Sequence, residues 1–235
     1  LDPLTGRRVK SRAVISRPRG WGKSPFLAAI CCVEAMGPVL CDGWDAAGQP
    51  VGVPWATRRT PLVQVTATTD DQTANTWAPL LEMLRGSPAQ DEYDVDPLDS
   101  FVTMRRGRIE KRTSSATSVK GARAVMAVLD QTETWVPSNG GPKLAKTKLG
   151  GVTIETPNAY TIGENSVAET TARYAEQIKA GKVKEAAARR LLYDFRAAPL
   201  DTDISDRDSL IEGLRIAYGD ASADPRGCAI HEPAC

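Results

Sequence analysis

RAVISRPRGWGKSPFLAAICCVEAM, residues 12–36, changes backbone preference twice within a short span. RAVIS centres on Val14 and Ile15, β-branched residues that suit a strand. RPRGWGKS contains Gly20 and Gly22 and reads as a turn, and PFLAAICCVEAM is a run of helix-compatible apolar residues. The order is strand, glycine-containing turn, helix. Pro25 is tolerable in the helix's first turn, where its missing N–H breaks no intrahelical bond.

The same alternation continues outward. PLVQVTATT (61–69) reads as a second strand, and DDQTANTWAPLLEMLR (70–85) as a helix with Asp70 or Asp71 as its cap. FVTMRRGRIEKRT (101–113) has two apolar runs split by Arg-Gly and reads as a hairpin turning at Gly107. ARAVMAVLD (122–130) is almost continuously apolar, as expected of a strand covered on both faces near the sheet centre. GGVTIETPNAY (150–160) gives a further strand running into a polar loop. SVAETTARYAEQIKAGKVKEAAARRLLYDF (166–195) is mostly helix-forming, with Ser166 as cap, and DRDSLIEGLRIAYGD (206–220) is the clearest late helix. GPVLCDGWDAAGQPVGVPW (37–55) is so rich in Gly and Pro that it reads as loop. Strands alternating with helices predict an α/β fold with a parallel sheet. The expected division is a core over residues 1–197 and a small C-terminal helical and loop segment over 198–235.

Composition narrows the class. With 235 residues, 41% hydrophobic and 25% charged, the chain can bury a proper core. A formal charge of +1 conceals two basic clusters, one from Arg7 to Arg19 and one from Arg105 to Arg112, either of which could meet phosphate. No apolar run approaches the roughly 18 residues of a membrane span, and the five cysteines form no disulfide framework. A cytoplasmic protein is expected, and the absence of an initiating Met suggests a domain excised from a longer chain. Cys228, His231 and Cys235 lie close together in CAIHEPAC, but a zinc site needs a fourth ligand and better spacing.

Three motifs carry chemistry. A phosphate loop requires inward-facing N–H groups, glycines, a Lys for the terminal phosphates and a hydroxyl for Mg²⁺. Gly22, Lys23 and Ser24 supply these between strand and helix, although Arg17 occupies the place of the first glycine in G-x-x-x-x-G-K-[ST]. Asp130 closes a buried strand, where a carboxylate can hold Mg²⁺ through water. Thr156 and Asn158 leave the next strand within reach of a γ-phosphate or an attacking water. Trp21, inside the loop, either packs against the chain or stacks on a base.

SRPRGWGKS, VQVTATTDDQTANTW, VMAVLDQTETWVPSNGG, IETPNAY and LLYDFRAAP in succession resemble the ATPase domain of large terminase subunits, the DNA-packaging motors of tailed bacteriophages. The resemblance covers almost the whole chain. It implies a P-loop NTPase of the RecA-like (ASCE) kind that binds ATP and Mg²⁺. Terminases often lack the first glycine of the loop and carry an Arg four residues before the Lys, a place taken here by Arg19 beside Gly20. Lys23 and Ser24 would then bind phosphate and Mg²⁺, and Arg17 and Arg19 would flank the phosphates. Asp130 would serve the metal, while Thr156 and Asn158 would couple hydrolysis to movement. The implied partners are double-stranded DNA, a portal protein and a small terminase subunit, with a homo-oligomeric ring on the portal in the cytoplasm of the bacterial host. No nuclease activity is predicted, since no ribonuclease-H-like acidic cluster is present.

One departure stands out. The family's catalytic Glu commonly follows the strand-ending Asp, and Gln131 occupies that place. Gln positions water but cannot accept its proton. Two readings stay open: a Glu-to-Gln change that traps bound nucleotide, or a natural variant in which Glu133 is the base.

Overall fold

The computed structural model describes residues 2, 4–113, 123–147 and 151–219. In chain order these form β1 (Arg12–Ser16), α1 (Lys23–Met36), β2 (Leu40–Trp44), β3 (Pro50–Val53), β4 (Leu62–Ala67), α2 (Asp70–Leu84), α3 (Pro88–Tyr93), β5 (Asp96–Pro97), β6 (Phe101–Thr103), β7 (Arg108–Thr113) and β8 (Met126–Asp130). There follow α4 (Gly141–Thr147), β9 (Val152–Thr156), α5 (Val167–Lys179), α6 (Glu185–Ala188), β10 (Leu191–Phe195) and α7 (Arg207–Tyr218). Eight strands make one sheet in the order β10-β1-β9-β8-β4-β7-β6-β5. The six from β10 to β7 are parallel, and β6 and β5 extend the sheet antiparallel. This is the expected α/β sheet, with β8 near its middle.

Side-chain alternation along β8 explains how both faces are filled. Met126 and Val128 join Leu27 and Cys31 of α1 and Leu80 and Leu84 of α2, whereas Ala127 and Leu129 meet Trp135, Leu144 of α4 and Val167 of α5. All five residues of β8 are buried, which is why the segment reads as unbroken apolar sequence rather than as alternation. By the same parity Asp130 faces the α1/α2 side. Every parallel strand ends at one edge of the sheet, so the turns after β1, β8 and β9 converge there.

Three expectations are corrected. The Gly/Pro-rich stretch 37–55 is not all loop: β2 and β3 pair as an antiparallel two-stranded sheet of their own, followed by a short 3₁₀ turn at Trp55–Thr57. The cap of α2 is Thr69, whose hydroxyl accepts from the N–H of Gln72 at 3.3 Å, while Asp70 and Asp71 occupy the first turn and favour the positive end of the helix dipole. Helix does not continue through residue 195: LLYDF is β10, an edge strand parallel to β1. Ser166 does cap α5, accepting from Glu169 N–H at 3.2 Å. Cys228, His231 and Cys235 lie outside the described residues.

Candidate functional site

The turn joining β1 to α1 relies on two left-handed glycines, Gly20 at φ 77° and Gly22 at φ 95°, and Gly22 is the residue from which α1 starts. A side chain would resist this conformation, so glycine there follows from backbone sterics. Lys23 and Ser24 are consequently the first helical residues, with both side chains partly exposed at the sheet's carboxyl edge. The Lys23 ammonium donates to the carbonyls of Arg17 (2.7 Å) and Pro18 (2.8 Å) and to Asn158 Oδ1 (2.8 Å). All three of its protons are thereby used. Receiving a phosphate means exchanging one or more of these acceptors for phosphate oxygens.

Asp130, 2% exposed, receives the Thr76 hydroxyl at 2.8 Å on one oxygen and the Thr156 hydroxyl at 3.0 Å on the other. Burial raises its pKa, and those two hydroxyls, the Gln131 N–H and the Lys23 charge oppose the rise. Gln131 then turns the chain at φ 53°, and residues 132–134 form a single 3₁₀ turn. That turn swings Glu133 back into the site. Asn158 Nδ2 donates to Glu133 Oε1 at 2.6 Å, while Glu133 Oε2 is buried with no partner among the described residues. Burial pushes the Glu133 carboxyl up from its ordinary value, and the Asn158 bond partly offsets this. Desolvation lowers Lys23, against the opposing pull of Glu133 and Asp130.

Lys23, Asp130, Glu133, Thr156 and Asn158 are thus brought together, with Asn158 bridging cation and carboxylate. Ser24 is beside them on the first turn of α1. Gln131 contributes its left-handed backbone, and its N–H donates to the Thr156 carbonyl at 3.3 Å. Arg17 is directed elsewhere: its buried guanidinium pairs with Asp194 of β10 at 2.5 Å and donates to the Ser16 carbonyl at 2.7 Å, and only its own carbonyl meets Lys23. Arg19 is exposed, and its carbonyl accepts the Tyr218 hydroxyl of α7 at 2.6 Å. Trp21 packs edge-on to Phe26, under the Arg17 guanidinium.

The donor set fits a magnesium nucleotide. A glycine turn at a helix start and an ammonium suit phosphates, a first-turn hydroxyl and a buried carboxylate with free lone pairs suit Mg²⁺ and its waters, and an unsatisfied carboxylate oxygen suits a water to be deprotonated.

No family model matches the chain. The Gene 13 proteins of Mycobacterium phages L5 and D29 are each 33% identical to it over 245 aligned residues, covering 92% of this chain and 40% of theirs. The chain therefore spans less than half the length of these curated relatives. The large terminase of bacteriophage HK97 superposes with a TM-score of 0.62 at 16% identity, over 87% of this chain and 39% of that one. The large terminase ATPase domain of Thermus phage P74-26 gives 0.53 at 14% identity, over 92% of this chain and 91% of that one. The chain has the large-terminase ATPase-domain fold. In this terminase fold the site lies where parallel α/β sheets commonly receive ligands, beyond the carboxyl ends of the strands.

Sequence reasoning missed three of the groups that hold this site together. Thr76 lies mid-helix with no local motif, and only the packing of α2 on β8 brings it to Asp130. Asp194 was masked by the helical reading of its segment. Trp135, whose indole N–H donates to the Asp130 carbonyl at 2.9 Å, fixes the turn from the opposite face.

Proposed function

We propose that this chain binds Mg-ATP at Lys23, Ser24 and Asp130 and hydrolyses it with Glu133 as general base, driving double-stranded DNA into a viral procapsid. The observation that carries this reading is the Lys23–Asn158–Glu133 chain: Asn158 donates to the glutamate and accepts from the loop lysine. Exchange of the Lys23 acceptors for γ-phosphate oxygens loosens Asn158, so nucleotide occupancy is transmitted directly to the base. Bound Mg²⁺ supplies charge neutralisation at the β- and γ-phosphates. The partly buried Glu133, with its raised proton affinity and unsatisfied oxygen, takes a proton from the attacking water. Gln131 sets the turn that delivers it. Arg19, exposed on the loop, is the basic side chain available to the phosphates in cis.

The terminase fold supports the wider setting as proposals: a homo-oligomeric ring on a portal protein, a small terminase subunit as partner, and action in the cytoplasm of the bacterial host. No helix among the described residues is long and apolar enough to cross a membrane.

The test is steady-state Mg-ATP hydrolysis by the chain, by Glu133→Gln and by Gln131→Glu. Glu133→Gln is expected to lower turnover by about 10²–10⁴-fold while nucleotide binding persists, and Gln131→Glu is expected to stay within a few-fold of the parent. A rise of two orders of magnitude in Gln131→Glu, with Glu133→Gln unimpaired, would instead put the base position at residue 131.

A further inference from the structure

The other edge of the sheet gathers cations around a cleft. At the amino edge of the strands, opposite the loop, lies an open cleft of about 600 Å³. Ser11 before β1, Val125 before β8 and Gly151 before β9 form its floor. Each of these strands is five residues long, so about 16 Å of strand separates the cleft from the Asp130 edge. Its walls carry Arg7, Arg8, Lys10, Arg58, Arg59 and Arg190, and no carboxylate among the described residues lines it. These cations come from three separate segments: the approach to β1, the turn after Trp55–Thr57, and the approach to β10.

Two of the six are neutralised in place, Arg8 by Glu34 at 2.8 Å and Arg58 by Asp42. The other four are not. Lys10 donates to the Leu191 carbonyl at 2.8 Å, and Arg59 lies over the Trp55 ring and donates to the Arg123 carbonyl at 3.3 Å. Arg7, Lys10, Arg59 and Arg190 are exposed and make no ion pair among the described residues. Placing like charges around one concavity is unfavourable in the free protein and becomes favourable when an anion enters.

We infer that this cleft binds the phosphate backbone of a nucleic acid, without regard to base sequence. The choice of a nucleic acid among polyanions rests on the function proposed above. The rest follows from the lining. Cations on opposing walls of an open cleft suit a chain of regularly spaced charges better than one compact anion. The Ser11 hydroxyl adds a neutral donor to phosphate oxygens, whereas the Thr5 hydroxyl is already donated to Asp2 Oδ1 at 2.9 Å. Among the described residues the lining holds no Asn, Gln, His, Asp or Glu, so most side chains that read base edges are missing from it, and arginine serves phosphates equally well. A translocating motor needs this kind of sequence-neutral contact. Its location at the far edge of the sheet leaves the nucleotide site clear.

Arg7→Ala combined with Arg190→Ala tests the inference, because neither side chain makes a hydrogen bond or ion pair among the described residues. Binding of a labelled, mixed-sequence DNA duplex would be followed by anisotropy between about 50 and 200 mM salt, with Arg59→Ala as a second variant and thermal melting to confirm folding. The expected results are binding at least about tenfold weaker in the double variant at the lower salt, a log–log salt slope shallower by about two, and equal affinity for unrelated duplex sequences. Duplex binding with unchanged affinity and slope in both variants would overturn the inference. So would failure of the parent chain to bind duplex while polyglutamate binds in a cleft-dependent way, which would mark an acidic protein as the ligand. A fluorescent ATP analogue in the same samples separates the two proposals. If the analogue binds and is hydrolysed while the cleft variants hold DNA normally, only the cleft assignment fails; if the parent chain does not take up the analogue, the ATPase reading fails, whatever the duplex does.

Discussion

Glu133 shows how a short turn can return a side chain to the end of its own strand. Its distance from Asp130 in sequence would put it on the way out of the site in an extended chain, but the left-handed Gln131 and the 3₁₀ turn reverse the path. Gln131 adopts φ 53°, a region costly for most residues, and the Thr134 hydroxyl bonding back to the Gln131 carbonyl at 2.9 Å helps to hold it there. The environment of Glu133 has a consequence for pH. Burial raises its pKa above the ordinary glutamate value, and Asn158 opposes that rise by donating to the ionised form. If Glu133 is the base, as proposed, it works when deprotonated, so turnover should rise as pH passes upward through this raised value, and the acid limb of the kcat profile should lie above the normal glutamate range. Asn158→Ala removes the opposing side-chain hydrogen bond and should move that limb to still higher pH, with a lower plateau because Glu133 and Lys23 lose their shared partner. An acid limb unmoved by Asn158→Ala in a kcat-versus-pH series would remove Glu133 from the base role.

Elements differ in how plainly the chain announces them, and β6–β7 is instructive. A single glycine supports the turn, and that glycine is irreplaceable for two reasons: Gly107 has φ 116°, and a Cβ there would stand 2.5 Å from Pro61 Cγ and 2.7 Å from its carbonyl oxygen. Gly107→Ala should therefore destabilise the chain by about 2 kcal/mol or more, read as a lower urea midpoint with unchanged m-value. The strands β1, β4, β8 and β9 were legible because each is β-branched or continuously apolar, and Lys23, Asp130, Glu133, Thr156 and Asn158 were legible because they sit at or just beyond the ends of those strands. The β2–β3 hairpin was hidden because its residues are mostly exposed and its glycines and prolines carry the usual signs of loop. β10 was hidden by the helix formers of EAAARR just before it; pairing with β1 overrides local propensity there. Thr76, and Asp194 in addition to that helical reading, were unreadable for a further reason. Their roles exist only once α2 lies on β8 and β10 lies beside β1.

Across the whole molecule, the sheet is cross-braced by charges that the hydrophobic pattern does not reveal. Glu155 of β9 is fully buried and accepts from Arg12 Nε of β1 at 2.6 Å and from the Thr171 hydroxyl of α5 at 3.1 Å. Arg12 also donates to Thr171 at 2.5 Å, closing a triangle among the loop-bearing strand, its neighbour and the helix that covers them. Burial raises the Glu155 pKa and Arg12 is the main influence opposing it. Removing the arginine leaves an uncompensated buried carboxylate, so Arg12→Ala should cost about 3–5 kcal/mol at neutral pH. A folded-state pKa above the unfolded one means that the protonated form favours folding, and that contribution is lost as pH rises through the folded value. The deficit of Arg12→Ala should therefore shrink as pH falls and Glu155 takes up a proton. Arg12→Met with Glu155→Leu, which removes both charges and keeps apolar volume, should recover most of the loss, since a well-packed apolar pair often equals a buried ion pair. Urea unfolding at neutral and mildly acidic pH measures all three. A deficit independent of pH, or a double variant no better than the single one, would mean that Arg12 acts by packing β1 rather than by compensating Glu155.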